Sequence, residues 1–401
     1  MKHVIVGGWV AGTAAASQLR KLDVDAEILV LDAESSPYYS RPDLIDYIAG
    51  RKGREQLPLH DAGWYPANGI TLRTGTRVTS IDSGARTLHL ADGGDVAYDK
   101  LLLATGSSPF VPPLPGIDQT GVFAVRTLAD ADHLRAAASR GQTAVIVGGG
   151  VLGLETARAL CELGMSAVVL EFAGRLLPNQ LDQEGADLLA AILGSMGVVS
   201  VVGAESTQVL SDGNAASGIL LKDGRRIDGS LVVLSVGVRP NTALARDAGL
   251  TVGRGIVVDD FLQTSTEGIF AAGDVAEHRG RVYGIVPPAL EQGKTAAQNM
   301  VHPGSVAYEG SIMSNVLKVV GIDLLSMGTV NPDPASDYEI ITARGAGQYR
   351  KVILQSGAAK GAIMLGTSTG SRQLQTAIRQ GRDLSPWRAF LEDITWNFDG
   401  M

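Results

Sequence analysis

A chain of 401 residues exceeds what one core holds at about 100–200 residues per domain, so two or three domains are expected. The formal charge of −8 is mild and its Lys and Arg are scattered, which argues against nucleic-acid binding and against attraction to an anionic membrane. Cys161 is the only cysteine, so neither an intrachain disulfide nor a cysteine-pair relay can form, and the 6 histidines lack metal-ligand spacing, so no metal is expected. The chain starts at once on a strand and has no apolar run of the roughly 18 residues a membrane span needs, so a cytoplasmic protein is expected.

In chain order, HVIVGGWVAGTAAASQL (3–19) is an apolar β-type run, a glycine turn and a helix of small residues. This is the opening of a dinucleotide-binding βαβ unit. In such a turn the first glycine permits the bend, the second lets the backbone approach a pyrophosphate, and the third lets helix and strand pack closely. Here Gly7, Gly8 and Gly12 are present, but Trp9 stands where the backbone should meet phosphate. Its indole either swings aside, leaving the nucleotide bound, or fills the place and weakens binding. EILVLD (27–32) is the next strand, and its terminal Asp32 is placed to accept hydrogen bonds from a ribose diol. After the loop SSPYYSRPDL (35–44), TLRTGTRVTSID (71–82) alternates as a strand does, and YDKLLLATGSSP (98–109) runs into Ala104, Thr105 and Gly106 at a carboxyl end suited to close approach. Pro109, Pro112, Pro113 and Pro115 then read as a linker.

AVIVGGGVLGLETARAL (144–160) repeats the first pattern with Gly148, Gly150 and Gly153 all in place. Its second strand, SAVVLE (166–171), ends in Glu171, whose carboxylate favours a free 2′-OH and so NADH over NADPH, with Arg175 nearby to soften the repulsion. Cys161 reads as a small buried side chain of the intervening helix. SLVVLSVGVRPNTAL (230–244) closes this domain, and 256–278 follows with a strand ending at Gly273-Asp274, then the helix LEQGKTAAQNMV (290–301). From about 306 the pattern changes to short strands and glycine turns, with a hairpin across Arg344–Gln348 and a helix over 371–381. The aromatics Trp387, Phe390, Trp396 and Phe398 read as packing residues, or as a cover for a flavin face or a dimer contact. Two nucleotide units in one chain suggest electron transfer between their ligands, a chemistry that needs placement more than acid–base groups.

GGWVAG, YYSRPDL, LLLATGSSP, VRTLADAD, VGGGVLGLE, VGVRPN and TSTEGIFAAGDVA together resemble the FAD-dependent pyridine nucleotide-disulfide oxidoreductase superfamily. The likeness is to its cysteine-free branch: NADH:rubredoxin reductase, the flavin domain of nitrite reductase, and ferredoxin reductases. LKVVGIDLLSMG, YRKVIL and GAIMLG extend it to the C-terminal domain of that branch. The expected fold is α/β, with two Rossmann-like dinucleotide-binding domains, the second inserted in the first (FAD, 1–112 and 241–305; NAD, 113–240), plus a C-terminal α+β domain over 306–401.

By this resemblance FAD would lie against Gly7, Gly8, Gly12, Asp32, Arg41, Pro42, Val78, Ala104, Thr105, Gly106, Arg126 and Asp274. NADH would lie against Gly148, Gly150, Gly153, Glu155, Glu171 and Gly237, with Glu155 positioning the nicotinamide. The implied activity carries hydride from NADH to FAD and then electrons to a small rubredoxin- or ferredoxin-type protein, by a single chain or a homodimer. An NADH oxidase using oxygen or peroxide is one alternative. A flavin-deficient nucleotide-binding or assembly subunit, its first site closed by Trp9, is another. Two departures stand out. The loop PYYSRPDLIDYIAG lacks the redox cysteine that disulfide reductases place there, and Ile45 and Asp46 occupy the region where ferredoxin reductases often carry a lysine that pairs with the counterpart of Glu155.

Overall fold

The computed structural model describes residues 1–61, 63–311, 314–319 as backbone, and 321–401. They divide into two compact units, one of 1–43, 53–108 and 238–311, the other of 44–52, 109–237 and 312–401.

The first unit is built on a parallel sheet in the order 269–271, 100–103, 2–6, 27–31, 70–73. Its central strand, Lys2–Val6, pairs with Glu27–Leu31 on one side and Lys100–Leu103 on the other. Val4, Ile5, Val30, Leu101 and Leu102 are all fully buried, as expected where both faces of a parallel sheet are covered and strands are apolar throughout rather than alternating. The helix Val10–Leu22 follows the first strand and buries Ala11, Ala14, Ala15 and Ala16. Its small side chains let the helix Val286–Val301 come close. A Cβ on Gly293 would lie 2.3 Å from the Ala11 carbonyl oxygen. That second helix starts four residues earlier than its sequence pattern suggests, because Pro287 and Pro288 occupy positions where no N–H is needed.

The second unit contains a sheet of the same design, ordered 198–202, 166–171, 143–147, 231–234, 122–124 and likewise parallel. In each unit the edge strand beside the second strand of the glycine-turn unit, 70–73 or 198–202, is followed by a three-stranded antiparallel sheet, 78–82/87–90/95–97 in the first and 206–212/215–221/226–228 in the second. The repetition visible in two short stretches of sequence thus extends over the whole order of strands. The C-terminal part of this unit is an antiparallel sheet ordered 314–319, 322–328, 358–365, 348–355, 339–345, with the helix Ser371–Gln380 packed on it. The expected hairpin is present, Gly345 pairing with Gln348 around a two-residue turn.

The C-terminal aromatics pack together. Phe398 is 2 % exposed and stacks on Trp396 at 4.5 Å, while the buried Arg350 guanidinium lies 4.9 Å over the Phe398 ring. Cys161 is half-buried rather than buried, its thiol 3.7 Å from the Gly197 carbonyl. Among the described residues, no helix is long and apolar enough to cross a membrane, and no group of three His, Cys, Asp or Glu is placed to hold a metal.

Candidate functional site

The glycine turn of the first unit follows from steric exclusion. Gly7 has φ +107°, and a Cβ there would fall 2.2 Å from the Ala104 carbonyl oxygen, so the turn presses on the end of the neighbouring strand. A Cβ on Gly12 would fall 1.8 Å from the Gly7 oxygen. Thr13 Oγ1 donates to the Gly8 carbonyl at 2.7 Å and ties the first turn of helix to the loop before it. Asp32 then braces the turn from the next strand, accepting from the Gly8 N–H at 2.8 Å through one oxygen and from the Glu34 N–H at 2.9 Å through the other. Burial pushes its carboxyl up, opposed by these two N–H groups.

The second unit reproduces the steric pattern and the carboxylate brace, without the Thr13 bond, since Leu154 stands at the matching place. Gly148 has φ +115° and would meet the Ser235 oxygen at 2.2 Å, while Gly153 would meet the Gly148 oxygen at 2.0 Å. Glu171 accepts from the Gly149 N–H and the Ala173 N–H, both at 2.7 Å. Each carboxylate therefore holds a glycine turn in shape as well as standing at the end of the second strand. Arg175 is held by the loop that follows it. Its Nε donates to the Leu181 carbonyl and its Nη2 to the Pro178 carbonyl, both at 3.1 Å.

The middle position of the two turns differs from its neighbours. Gly150 caps its helix at φ −78°, ψ 175°, ordinary extended backbone, and a Cβ there would meet nothing within 4 Å. Trp9 holds the same place at φ −88°, ψ −152°. The protein itself thus imposes no need for glycine here, which is the physical reason the fold accepts an indole. The indole is turned to one side: its Nε1 donates to the Tyr39 carbonyl at 2.8 Å, and the Arg41 guanidinium lies 4.4 Å over its ring.

Around the first turn, Thr105 Oγ1 donates to the Asn241 carbonyl at 3.0 Å, Asn241 Nδ2 donates to the Thr105 carbonyl at 2.8 Å, and the Asn241 N–H donates to the Gly106 oxygen at 2.9 Å. Gly106, at φ +66°, makes the bend. Ser107 Oγ donates to Asp274 Oδ2 at 2.8 Å, and Gln292 Oε1 accepts from the Gly273 N–H at 2.8 Å. The Thr76 N–H bonds to the Asp32 carbonyl at 2.7 Å, which brings the start of the strand carrying buried Val78 beside the end of the second strand. Pro42 is exposed in the loop after Arg41. Arg126 belongs to the other unit, just before the helix Leu128–Ala137, with its N–H on Asp130. Asn241, Ser107, Gln292 and Glu34, none singled out from sequence, complete these contacts; the stretches VGVRPN, containing Asn241, and LLLATGSSP, containing Ser107, offered a signal.

In the second unit, Glu155 projects from the helix Val151–Glu162, one turn before Arg158 and two before Glu162. Arg158 pairs with Glu162 at 2.9 Å, and Arg51, from the segment 44–52, pairs with both Glu162 and Asp46, the latter at 2.7 Å. Burial, with the Asp46 carboxylate adding to it and Arg51 opposing, pushes Glu155 from the usual 4.5 up to about 7. Gly237, at φ +101°, closes the fourth strand's loop and accepts from the Phe110 N–H at 2.9 Å.

These cradles suit anionic dinucleotides. Both have glycines at the first and third positions, Gly7 and Gly12 or Gly148 and Gly153, where a Cβ would strike backbone, and a helix N-terminus directed from the turn, and the first also has the Arg41 guanidinium over the Trp9 ring. Residues 1–297 match the pyridine nucleotide-disulphide oxidoreductase family and residues 314–382 the rubredoxin NAD+ reductase C-terminal domain. A nitrite reductase [NAD(P)H] of Bacillus subtilis is 36 % identical over 95 % of this chain and 48 % of its own length. A rubredoxin-NAD(+) reductase of Pseudomonas putida is 34 % identical over 71 % of this chain and 74 % of its own. The solved structure of a covalent putidaredoxin reductase–putidaredoxin complex is similar with a TM-score of 0.86 and 27 % identity, over 98 % of this chain and 96 % of that one. The chain spans about half the length of the nitrite reductase it matches.

Proposed function

Because this chain belongs to the pyridine nucleotide-disulphide oxidoreductase family, we propose that it holds FAD on its first unit and NADH on its second and passes electrons from NADH to a small redox protein of rubredoxin or ferredoxin type. The observation that carries this reading is the duplicated cradle, in which Gly7, Gly12 and Asp32 are matched by Gly148, Gly153 and Glu171. Bound flavin supplies the redox chemistry, taking a hydride and releasing its electrons singly.

The chain's own residues do the placing. Gly7 and Gly8 bring bare backbone to the flavin diphosphate, Asp32 is offered to the adenosine ribose, and Asp274, fixed by Ser107, to the ribityl side. Ala104, Thr105 and Gly106, locked by Asn241, line the dinucleotide's path. On the second unit Gly148, Gly150 and Gly153 meet the NADH diphosphate, Glu171 selects the free 2′-OH, and Glu155 positions the nicotinamide. The Glu171 carboxylate at the end of the second strand disfavours a 2′-phosphate, which supports NADH over NADPH. No cysteine lies in the loop 37–50, so no thiol need intervene.

Anaerobic titration of the purified protein with NADH tests the reading. The expected result is a yellow protein whose visible flavin absorption bleaches with NADH and returns on adding an oxidised rubredoxin or ferredoxin. Bleaching that is reversed only by oxygen would make it an oxidase. A colourless protein that takes up no FAD would overturn the reading in favour of a nucleotide-binding subunit.

A further inference from the structure

The side chain at position 9 does more than avoid the nucleotide. Its Nε1–H is anchored on the Tyr39 carbonyl at 2.8 Å, so the indole spans from the glycine turn to the loop after the second strand. The Arg41 guanidinium rests over the ring, 4.4 Å from its centroid, and Arg41 Nη2 is tied to Glu34. Glu34 is itself fixed by the Tyr39 hydroxyl, which donates to its other oxygen at 2.6 Å. The result is a closed ring of contacts: turn to indole, indole to Tyr39, Tyr39 to Glu34, Glu34 to Arg41, and Arg41 back to the indole. Within it, Arg41 Nε is buried and has no hydrogen-bond partner among the described residues. The Arg41 side chain keeps 16 % of its surface exposed, and that part is what a ligand can reach.

We propose that Trp9 is a positioning residue that holds the Arg41 guanidinium beside the first glycine turn, where the part of the side chain still open to solvent meets the diphosphate of a bound dinucleotide. A cation on an aromatic face is attracted by the ring quadrupole, and a planar guanidinium oriented in advance loses less entropy on meeting phosphate oxygens. The second unit, with Gly150 at the matching place, has no such strut. The inference rests on the reading of the first unit as the FAD site.

The test is FAD binding by apoprotein, followed by quenching of FAD fluorescence, for wild type, Trp9→Gly, Trp9→Phe, Arg41→Ala and the double variant Trp9→Gly/Arg41→Ala. Far-UV circular dichroism and melting of each apoprotein report whether the variant folds. Trp9→Gly and Arg41→Ala should each weaken FAD roughly tenfold or more, the loss expected when a charge-assisted hydrogen bond is misplaced or removed. The double variant should be no weaker than Arg41→Ala alone, because both changes remove the same contact. Trp9→Phe, which keeps the ring face and loses the Tyr39 anchor, should fall between wild type and Trp9→Gly. FAD bound by Trp9→Gly as tightly as by wild type, or losses that simply add, would overturn the positioning role. A wild type that binds no FAD would instead overturn the functional reading on which it stands.

Discussion

Replacing Gly150 or Gly153 by alanine adds the same methyl group to the same turn, yet the two changes should do different things. At Gly153 the new Cβ would lie 2.0 Å from the Gly148 oxygen and 3.4 Å from Ile146 Cγ2, and an ordinary contact with that oxygen requires the helix to withdraw by over an ångström. Leu154 and Ala157, both fully buried, would move with it. Overpacking of this kind costs about 1–3 kcal/mol. Melting should fall by about 2–4 °C per kcal/mol for a folding unit of 150–250 residues. At Gly150 the Cβ meets no protein atom within 4 Å and the backbone is extended, so the change costs at most the small capping difference between glycine and alanine. The methyl group instead enters the space in front of the turn. Gly150→Ala should keep the wild-type melting temperature within about 2 °C and weaken NAD+ binding, measured by calorimetry, roughly tenfold, the effect of one lost backbone contact to phosphate. Gly153→Ala should melt earlier even without nucleotide. If Gly150→Ala melts as early as Gly153→Ala, or binds NAD+ normally, the middle position is not reserved for ligand, and the fold tolerates Trp9 for another reason.

Glu155 gives a pH test. With its carboxyl raised to about 7 from 4.5, the folded protein binds a proton that the unfolded chain has released, so its contribution to stability is intact below about 4.5 and is lost as pH rises through about 7. Glu155→Gln should remove that decline in urea midpoints between pH 5 and 8, and an unchanged slope would refute the assignment. Asp182 caps the helix Gln183–Ser195 and accepts from Tyr349 at 2.7 Å and Lys351 at 2.9 Å. Burial alone would raise its carboxyl, but those donors and the Gly185 N–H hold it below its usual range, so its contribution is present above the unfolded value and lost as pH falls. Asp182→Ala leaves Lys351, with 8 % of its side chain exposed, without a counter-ion and should cost about 3–5 kcal/mol in urea unfolding at neutral pH. A loss below about 1 kcal/mol would mean that water replaces the carboxylate there. Arg350 Nη2 donates to the Leu391 carbonyl at 3.0 Å and also to Asp393, so Arg350→Met should speed amide exchange over 388–398 while leaving NAD+ binding unchanged. Exchange at the wild-type rate would show that the aromatic stack alone holds the terminus.

Local pattern carried much of this protein. Both glycine turns, the acidic residues that end the second strands, the hairpin across Arg344–Gln348 and the strand at 166–171 could be read from residues close in sequence, because sterics and the two-residue and 3.6-residue periods act over a few positions. Partners far apart in the chain could not be read this way. Nothing near Thr105 announces Asn241, nothing near Gly273 announces Gln292, and Arg175 looked available until the loop carbonyls that occupy it came into view. The same holds for Trp9. Its presence in a glycine motif was plain from the sequence, whereas the direction of its indole depends on Tyr39 and Arg41, brought to it by a separate loop. Backbone conformation is set chiefly by each residue and its neighbours; which donor meets which acceptor is decided only when packing brings distant segments together.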